Sequence, residues 1–399
     1  MAKQLKKGDY MFGLNEKEWR NLNGLNTAAE IYQQPELWLE TLRIIEFNKD
    51  NISRFINERL KKENARIIFT GAGTSAYVGE TAVPYLNKKK GNTYEAIPTT
   101  DIVSNPESYF KKNIPTLLVS FARSGNSPES VAAYELADKL VDDISHIFIT
   151  CNPDGKLAEI SRGKENVLLL LMPEKSNDLG FAMTSSFSCM TLAASLIFDL
   201  ENLEENKKQI LEMASIAKCI LDDKYEELKK ILGYDCKRIV YLGSGSFYGI
   251  SKESALKLLE LTRGQIISHS ESVLGFRHGP KSIVNDNTLI MLYCSTDEYA
   301  KKYDMDLLNE IYNDIGEHKL ISVTKDYDEK ISEISDYQLY LCKDSIQINN
   351  EVFISLLYVL YAQVFALLYS VKTEIEPDNP SPSGLVNRVV KGVTIYDYM

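Results

Sequence analysis

Eight short apolar runs recur along the chain. They are RIIFT from Arg66, TLLVSF from Thr116, HIFIT from His146 and VLLLLM from Val167, then RIVYLG from Arg238, TLIMLY from Thr288, HKLIS from His318 and LYLCKD from Leu339. Within a run the apolar residues follow one another without alternation, and Ile, Val and Leu dominate. That pattern predicts strands buried on both faces, as in a parallel sheet covered by helices. Helical stretches such as Pro128 to Asp138 and Ser251 to Thr262 separate the runs, so the expected class is α/β, doubly wound. Ahead of the first run, PELWLETLRIIEFNKDNISRFINERLKK has apolar positions spaced at about 3.6 residues, the helical period.

The runs form two matching series. Gly243 and Gly245 follow Gly71 and Gly73 by 172 positions, and the same offset carries each later run of the first half onto a run of the second. It also superimposes two uncharged stretches, Leu179 to Phe198 and Val352 to Val371. A fixed offset held over five elements is internal duplication. Two tandem domains are therefore expected, over residues 63–215 and 216–376, preceded by a helical segment (1–62) and followed by a tail (377–399). Each uncharged stretch is long enough to span a bilayer. Their equivalent positions after the last strand of each half predict buried interface helices instead, and no membrane association.

Composition narrows the partners. The chain has 399 residues, 44% hydrophobic and 25% charged, with a net charge of -11. It offers no basic face for nucleic acid or an anionic membrane, so any anion must be held by local donors. The six cysteines are scattered singly, four of them (Cys151, Cys189, Cys294, Cys342) in or beside apolar runs. This pattern, and an N-terminus without a signal-length apolar core, predicts a reducing, cytoplasmic setting. His146, His269, His278 and His318 stand at no metal-ligand spacing, and no metal or other cofactor is expected.

The candidate chemistry lies where strands run into helices, the place at which open α/β sheets bind ligands. GAGTS, with Gly73, Thr74 and Ser75, follows the first run; ARSGNS, with Arg123, Ser124, Gly125, Asn126 and Ser127, follows the second. Glycines admit close backbone approach, helix N-termini offer unpaired N–H groups, and hydroxyls add neutral donors, which together suit a phosphate. The plainer reading is that Ser, Asn and Pro only cap the next helix. Gly71, Gly73 and Ala76, with Glu95 beyond, also satisfy a dinucleotide fingerprint, although that leaves the second serine loop without a role. No GK[ST] is present for a P-loop. In the second half the counterpart loop is CSTDEY, while SKESALKLLELTRG places Lys257 and Glu260 on one helix face and His278 sits in the glycine-flanked GFRHGP.

These motifs resemble the sugar isomerase (SIS) domain. The double arrangement resembles the isomerase half of glucosamine-6-phosphate synthase, and TGAGTSAYVG, SFARSGNSPESVAA, FAMTSS, YLGSGS, ESALKLLELTRG, GFRHGPKS and PSPSGLVNRVVKGV are similar to the AgaS-type galactosamine-6-phosphate deaminase/isomerases, also labelled tagatose-6-phosphate ketose/aldose isomerases, over nearly the whole chain. The resemblance implies a tandem SIS-type, flavodoxin-like fold and a small sugar phosphate as substrate. It implies that Ser75, Ser124 and Ser127, with backbone around Gly125 and Asn126, bind the phosphate, that Glu260 moves a proton between C1 and C2, that His278 opens the sugar ring from a neighbouring subunit, and that Lys391 lines the site from the tail. A homo-oligomer, a dimer or dimer of dimers with shared sites, follows from that. Against the synthase pattern, Ala122 stands for a loop serine and Arg123 for a glutamine, so Arg123 either adds a charged phosphate donor or selects a different sugar. The expected reaction converts galactosamine 6-phosphate to tagatose 6-phosphate and ammonia. Deamination or isomerisation of another sugar phosphate, and a non-catalytic sugar-phosphate sensor, remain as alternatives.

Overall fold

The computed structural model describes residues 10–91, 93–342, 345–390 and 392–398. After a two-residue hairpin, β1 (Tyr10–Met11) against β2 (Leu14–Asn15), each apolar run becomes a strand. The first half supplies β3 (Arg66–Thr70), β4 (Tyr94–Ala96), β5 (Thr116–Ala122), β6 (Ile144–Thr150) and β7 (Val167–Leu171), in the order β4-β3-β5-β6-β7. The second supplies β8 (Arg238–Gly243), β9 (Ile267–Ser272), β10 (Thr288–Tyr293), β11 (Lys319–Thr324) and β12 (Tyr337–Tyr340), in the order β12-β11-β10-β8-β9. All pairs in both sheets are parallel. Counted from its own first strand, each sheet has the order 2-1-3-4-5, the flavodoxin-like doubly wound arrangement. The duplication is thus a duplication of fold.

Burial explains the unbroken apolar runs. Every residue of β5 and of β10 is buried, so neither face could tolerate a polar alternation. In the first sheet Ile68 and Leu118 pack with Ile102, Phe110, Ala133 and Ala137 of the covering helices; in the second Val240, Ile290 and Leu292 pack with Leu307, Leu308 and Ile311. Each such buried Leu or Ile contributes roughly 1.5–3 kcal/mol. Cys236 is buried as well, whereas Cys342, just past the edge strand β12, is only partly covered.

The two uncharged stretches are core helices. Ser185–Ile197 is buried along its whole length and packs on Thr74–Lys89. Glu351–Lys372 alone, among the described residues, is long and apolar enough to cross a membrane, but its apolar window is entirely buried in protein, against Ser246–Leu261 and Leu25–Tyr32. Asn350 caps it, accepting from Val352 N at 2.9 Å.

Two compact units result, and neither is continuous in sequence. One holds the second sheet: Gln209–Ser383, Leu179–Thr184 and the N-terminal stretch that ends at Pro35. The other holds the first sheet: Glu36–Asp178, Ser185–Lys208 and the stretch from Gly384 to the C-terminus. The N-terminal helical residues are thereby shared out. In the second-sheet unit Gln34 donates to Gln363 Oε1 at 2.7 Å, and in the first-sheet unit Trp38 Nε1 donates to Ser188 Oγ at 2.9 Å.

The strand-to-helix turns repeat in detail. Gly73 has φ 55° and ψ -127°, Gly245 has φ 57° and ψ -127°, and each precedes a 16-residue helix, Thr74–Lys89 or Ser246–Leu261. A Cβ at either position would meet nothing within 4 Å, so its cost would be backbone strain alone. We predict that Gly73→Ala and Gly245→Ala each destabilise by about 1–3 kcal/mol. Urea midpoints measure this, and an unaffected Gly245→Ala protein would show that the turn is not under the constraint inferred.

Candidate functional site

In the first-sheet unit, β3 and β5 pair with Thr70 opposite Ser120, so the loops leaving their carboxyl ends begin side by side. The first loop enters its helix at Gly73, and Thr74 and Ser75 in the opening turn are buried. The second loop contains Ser124, Gly125 at φ 65°, Asn126 and Ser127. It is held by the loop after β6: Asn152 Nδ2 donates to the Ser124 carbonyl at 3.0 Å, Lys156 N to Asn126 Oδ1 at 2.8 Å and Leu157 N to the Gly125 carbonyl at 3.1 Å. That packing requires Gly155, where a Cβ would lie 2.4 Å from the Ser124 carbonyl oxygen.

The capping reading of Ser127 is correct as far as it goes. Its Oγ accepts from Ser130 N at 3.2 Å and meets Ser130 Oγ at 2.6 Å, with Pro128 at the first helical position. Ser124 differs: its Oγ accepts from Asn126 N at 3.3 Å, an interaction that leaves its own hydrogen to donate. Two helix N-termini and their hydroxyls therefore face the same sheet edge, the donor set an oxyanion needs. Arg123 is buried, and its Nη2 donates to the Arg388 carbonyl in the tail at 2.9 Å.

The second-sheet unit carries charge instead. On Ser246–Leu261, Lys257 is 1% exposed and its Nζ lies 2.6 Å from Glu260 Oε2 and 3.5 Å from Glu253 Oε1. Glu253 is fully buried, whereas Glu260 is 24% exposed, so one carboxylate of the three-residue cluster is open to a ligand. Sequence reasoning missed Glu253. Its signal was the spacing of four before Lys257, one helical turn.

His278 is exposed, in a loop that Arg277 and Lys281 pin to Glu298–Asn313 through Glu310, at 2.8 and 2.5 Å. Lys391 lies outside the described residues.

The counterpart of the serine loop shows what the second sheet lacks. After β10, Ser295 N donates to Asp304 Oδ2 at 2.7 Å, and Asp297 Oδ1 accepts from Tyr299 N and Ala300 N at 3.0 Å each. Carboxylates of the chain itself occupy the donors that a phosphate would use. The adjoining cavity, about 250 Å³, is lined by Lys301 and Lys325 but also by Glu298, Asp326 and Asp328.

Comparison with known proteins shows the family of the fold. The SIS domain family matches residues 59–200 and 234–370. The D-galactosamine-6-phosphate deaminase AgaS of Shewanella sp. (strain ANA-3) is 42% identical over 378 residues, 94% of this chain and 92% of the relative. A crystal structure from Clostridium novyi NT, provisionally described as a tagatose-6-phosphate ketose/aldose isomerase, is 50% identical with a TM-score of 0.95, covering 98% of this chain and 99% of its own. The tagatose-6-phosphate ketose/aldose isomerase from Escherichia coli is 38% identical with a TM-score of 0.86, over 94% and 97%.

Asp304 yields a prediction for the self-occupied loop. Burial first, and Glu351 second to it, pushes its carboxyl up to about 6, against the opposing Ser295 N–H and Lys301. With the folded value above the unfolded one, near 3.9, the ionised side chain costs stability above pH 6, and this cost disappears as the pH falls toward 4. Asp304→Asn should therefore stabilise the protein at pH 8 by roughly 1–3 kcal/mol and by little at pH 4.5. Denaturation midpoints across that range check it; a variant less stable than wild type at pH 8 would mean that the ionised hydrogen bond outweighs the burial cost.

Proposed function

The chain belongs to the SIS domain family, and we propose that it is an amino-sugar phosphate deaminase/isomerase converting galactosamine 6-phosphate to tagatose 6-phosphate and ammonia. The observation that carries this reading is the Lys257–Glu260 pair: a partly exposed carboxylate on a rigid helix, held at 2.6 Å by a lysine that has no access to solvent. A sensor would need the serine loops but not this pair. The substrate assignment rests on the AgaS relatives.

In this reading the serine loops take the phosphate, with Ser75, Ser124 and Ser127 as neutral donors and the backbone of Gly73, Thr74, Gly125 and Asn126 around them. His278, supplied by a neighbouring subunit, assists ring opening, and Lys391 joins from the tail. Glu260 removes the C2 proton of the open-chain aldose and returns it to C1 through an enolamine. The C1–H bond formed replaces the C2–H bond broken, and the C1 carbonyl oxygen becomes a hydroxyl with the proton that the C2 ammonium gives up, leaving a protonated imine at C2. Water adds there and ammonia departs, giving the ketose. Lys257 keeps the base in place. C1 is reduced as C2 is oxidised within the same molecule, so the net chemistry calls for no redox cofactor. The same base would isomerise a substrate with a C2 hydroxyl, and ammonia release across galactosamine, glucosamine and mannosamine 6-phosphates separates the possibilities. Six cysteines without a disulfide support a cytoplasmic setting.

Glu260→Gln keeps shape and removes basicity. Turnover should fall about 100-fold or more while phosphate-ester binding stays near normal. In heavy water the wild type should place deuterium at C1 of the product and the variant should do so far more slowly; near-normal turnover in the folded variant would move the base elsewhere. Ser124→Ala should instead weaken phosphate-ester binding by about 1–3 kcal/mol.

Sharing of sites has its own test. Mixed dimers of Glu260→Gln and His278→Ala subunits should recover activity, since one of their two sites would hold both native residues. Verified mixed dimers without recovery would place the histidine in its own chain's site.

A further inference from the structure

Arg123 sits between the buried strand β5 and Ser124, at 6% exposure. A guanidinium so buried is costly unless it is hydrogen-bonded, and its Nη2 donates to the main-chain carbonyl of Arg388, 265 positions later, at 2.9 Å. Arg388 is held from its other end too, its own guanidinium donating to the carbonyl of Asp178. Asp178 is itself immobile: fully buried, its carboxylate accepts from Ser185 N at 3.2 Å and Ser186 N at 2.9 Å at the start of Ser185–Ile197. The tail is thus clamped at Arg388 between two rigid parts of the first-sheet unit.

A second tie lies ten positions on. Tyr398 donates its hydroxyl to Glu107 Oε1 at 2.5 Å, and Lys139 both donates to its carbonyl and lies 5.5 Å from its ring centroid. Between the ties the tail exposes Val390, Ile395 and Tyr396, at 52%, 38% and 83%. The described residues there belong to no helix or strand and keep much apolar surface in water, so the ties at either end contribute to fixing their place.

We infer that Arg123 is a positioning residue, a latch that registers the C-terminal tail on the phosphate-loop unit, rather than a ligand of the phosphate. The glutamine of the synthase pattern is shorter and uncharged; the arginine reaches the tail. Because Arg123 and Ser124 are consecutive, an anion that orders the loop also orders the latch. That coupling rests on the reading of the serine loops given above, whereas the latch does not.

The test compares the ligand-free full chain with its Arg123→Gln variant by hydrogen–deuterium exchange. Amides of residues 388–398 should exchange about 10-fold faster or more in the variant, with those of β5 and Pro128–Leu140 unchanged. Inorganic phosphate, used as the probe of the loop, should bind within about 2-fold of wild type, and kcat on galactosamine 6-phosphate should fall more than KM rises. Unchanged tail exchange together with weakened phosphate binding would overturn the latch and assign the guanidinium to the anion. If glutamine impairs folding, Arg123→Lys keeps the buried cation and loses the fork, and should loosen the same segment to a smaller degree. Exchange is read without substrate, so the latch can be judged even if no amino-sugar phosphate is turned over.

Discussion

A parallel strand buried on both faces satisfies its backbone only through neighbours, and it can be continued only by a crossover that returns to the same edge. The central strands of both five-stranded sheets obey that constraint, and the rest of the molecule follows from it. Every loop from a strand into its helix is delivered to the carboxyl edge of its sheet, because the strands all run parallel. The two turns with nearly identical dihedrals at Gly73 and Gly245 are the clearest trace, for the chain has there a conformation open to little but glycine. Once the edge is set, only the side chains on its loops remain to be chosen, and in them the two halves part.

The choice is electrostatic. At the first sheet the loop's caps are neutral hydroxyls, Ser124 and Ser127; at the second, the carboxylates of Asp304 and Asp297 take the loop and helix N–H groups. In exchange the second unit buries a lysine between two carboxylates. Such a lysine is costly unless paired, and Glu253, with no exposure, is a partner that solvent cannot take away. If Glu260 is the base, as proposed, it accepts a proton without stranding the ammonium, which still faces Glu253. A base flanked by Lys257 alone would abandon that lysine at each proton transfer.

Eight of the ten strands of the two parallel sheets were legible in the sequence because burial on both faces leaves an unbroken apolar run, and the offset of 172 paired them; β4 and β9, shorter or more exposed, left no such run and were missed. The allotment of segments to units was not legible. Residues 1–62 read as one helical block, since periodicity reports that a face is covered and not by what; the structure divides that block between Pro35 and Glu36. The site was legible to the same depth. The serine loops and Lys257–Glu260 are local patterns, visible to anyone who counts positions. Glu253 looks like one more glutamate on an amphipathic helix until its burial is known, and the partner of Arg123 lies 265 residues away.

That distance says something about an acidic protein that must hold an anion. With a net charge of -11 the chain gains nothing from its overall field in attracting a phosphate ester, so affinity must come from neutral donors at short range, and their geometry has to be exact to be useful. An arginine inside such a loop would be the obvious remedy. Here the one beside Ser124 donates to a main-chain carbonyl of the tail, 265 positions away, so part of its hydrogen-bonding capacity goes to fixing the tail. In the proposed reading the hydroxyls and helix ends take the phosphate and the guanidinium takes the tail, two tasks given to consecutive residues of one loop.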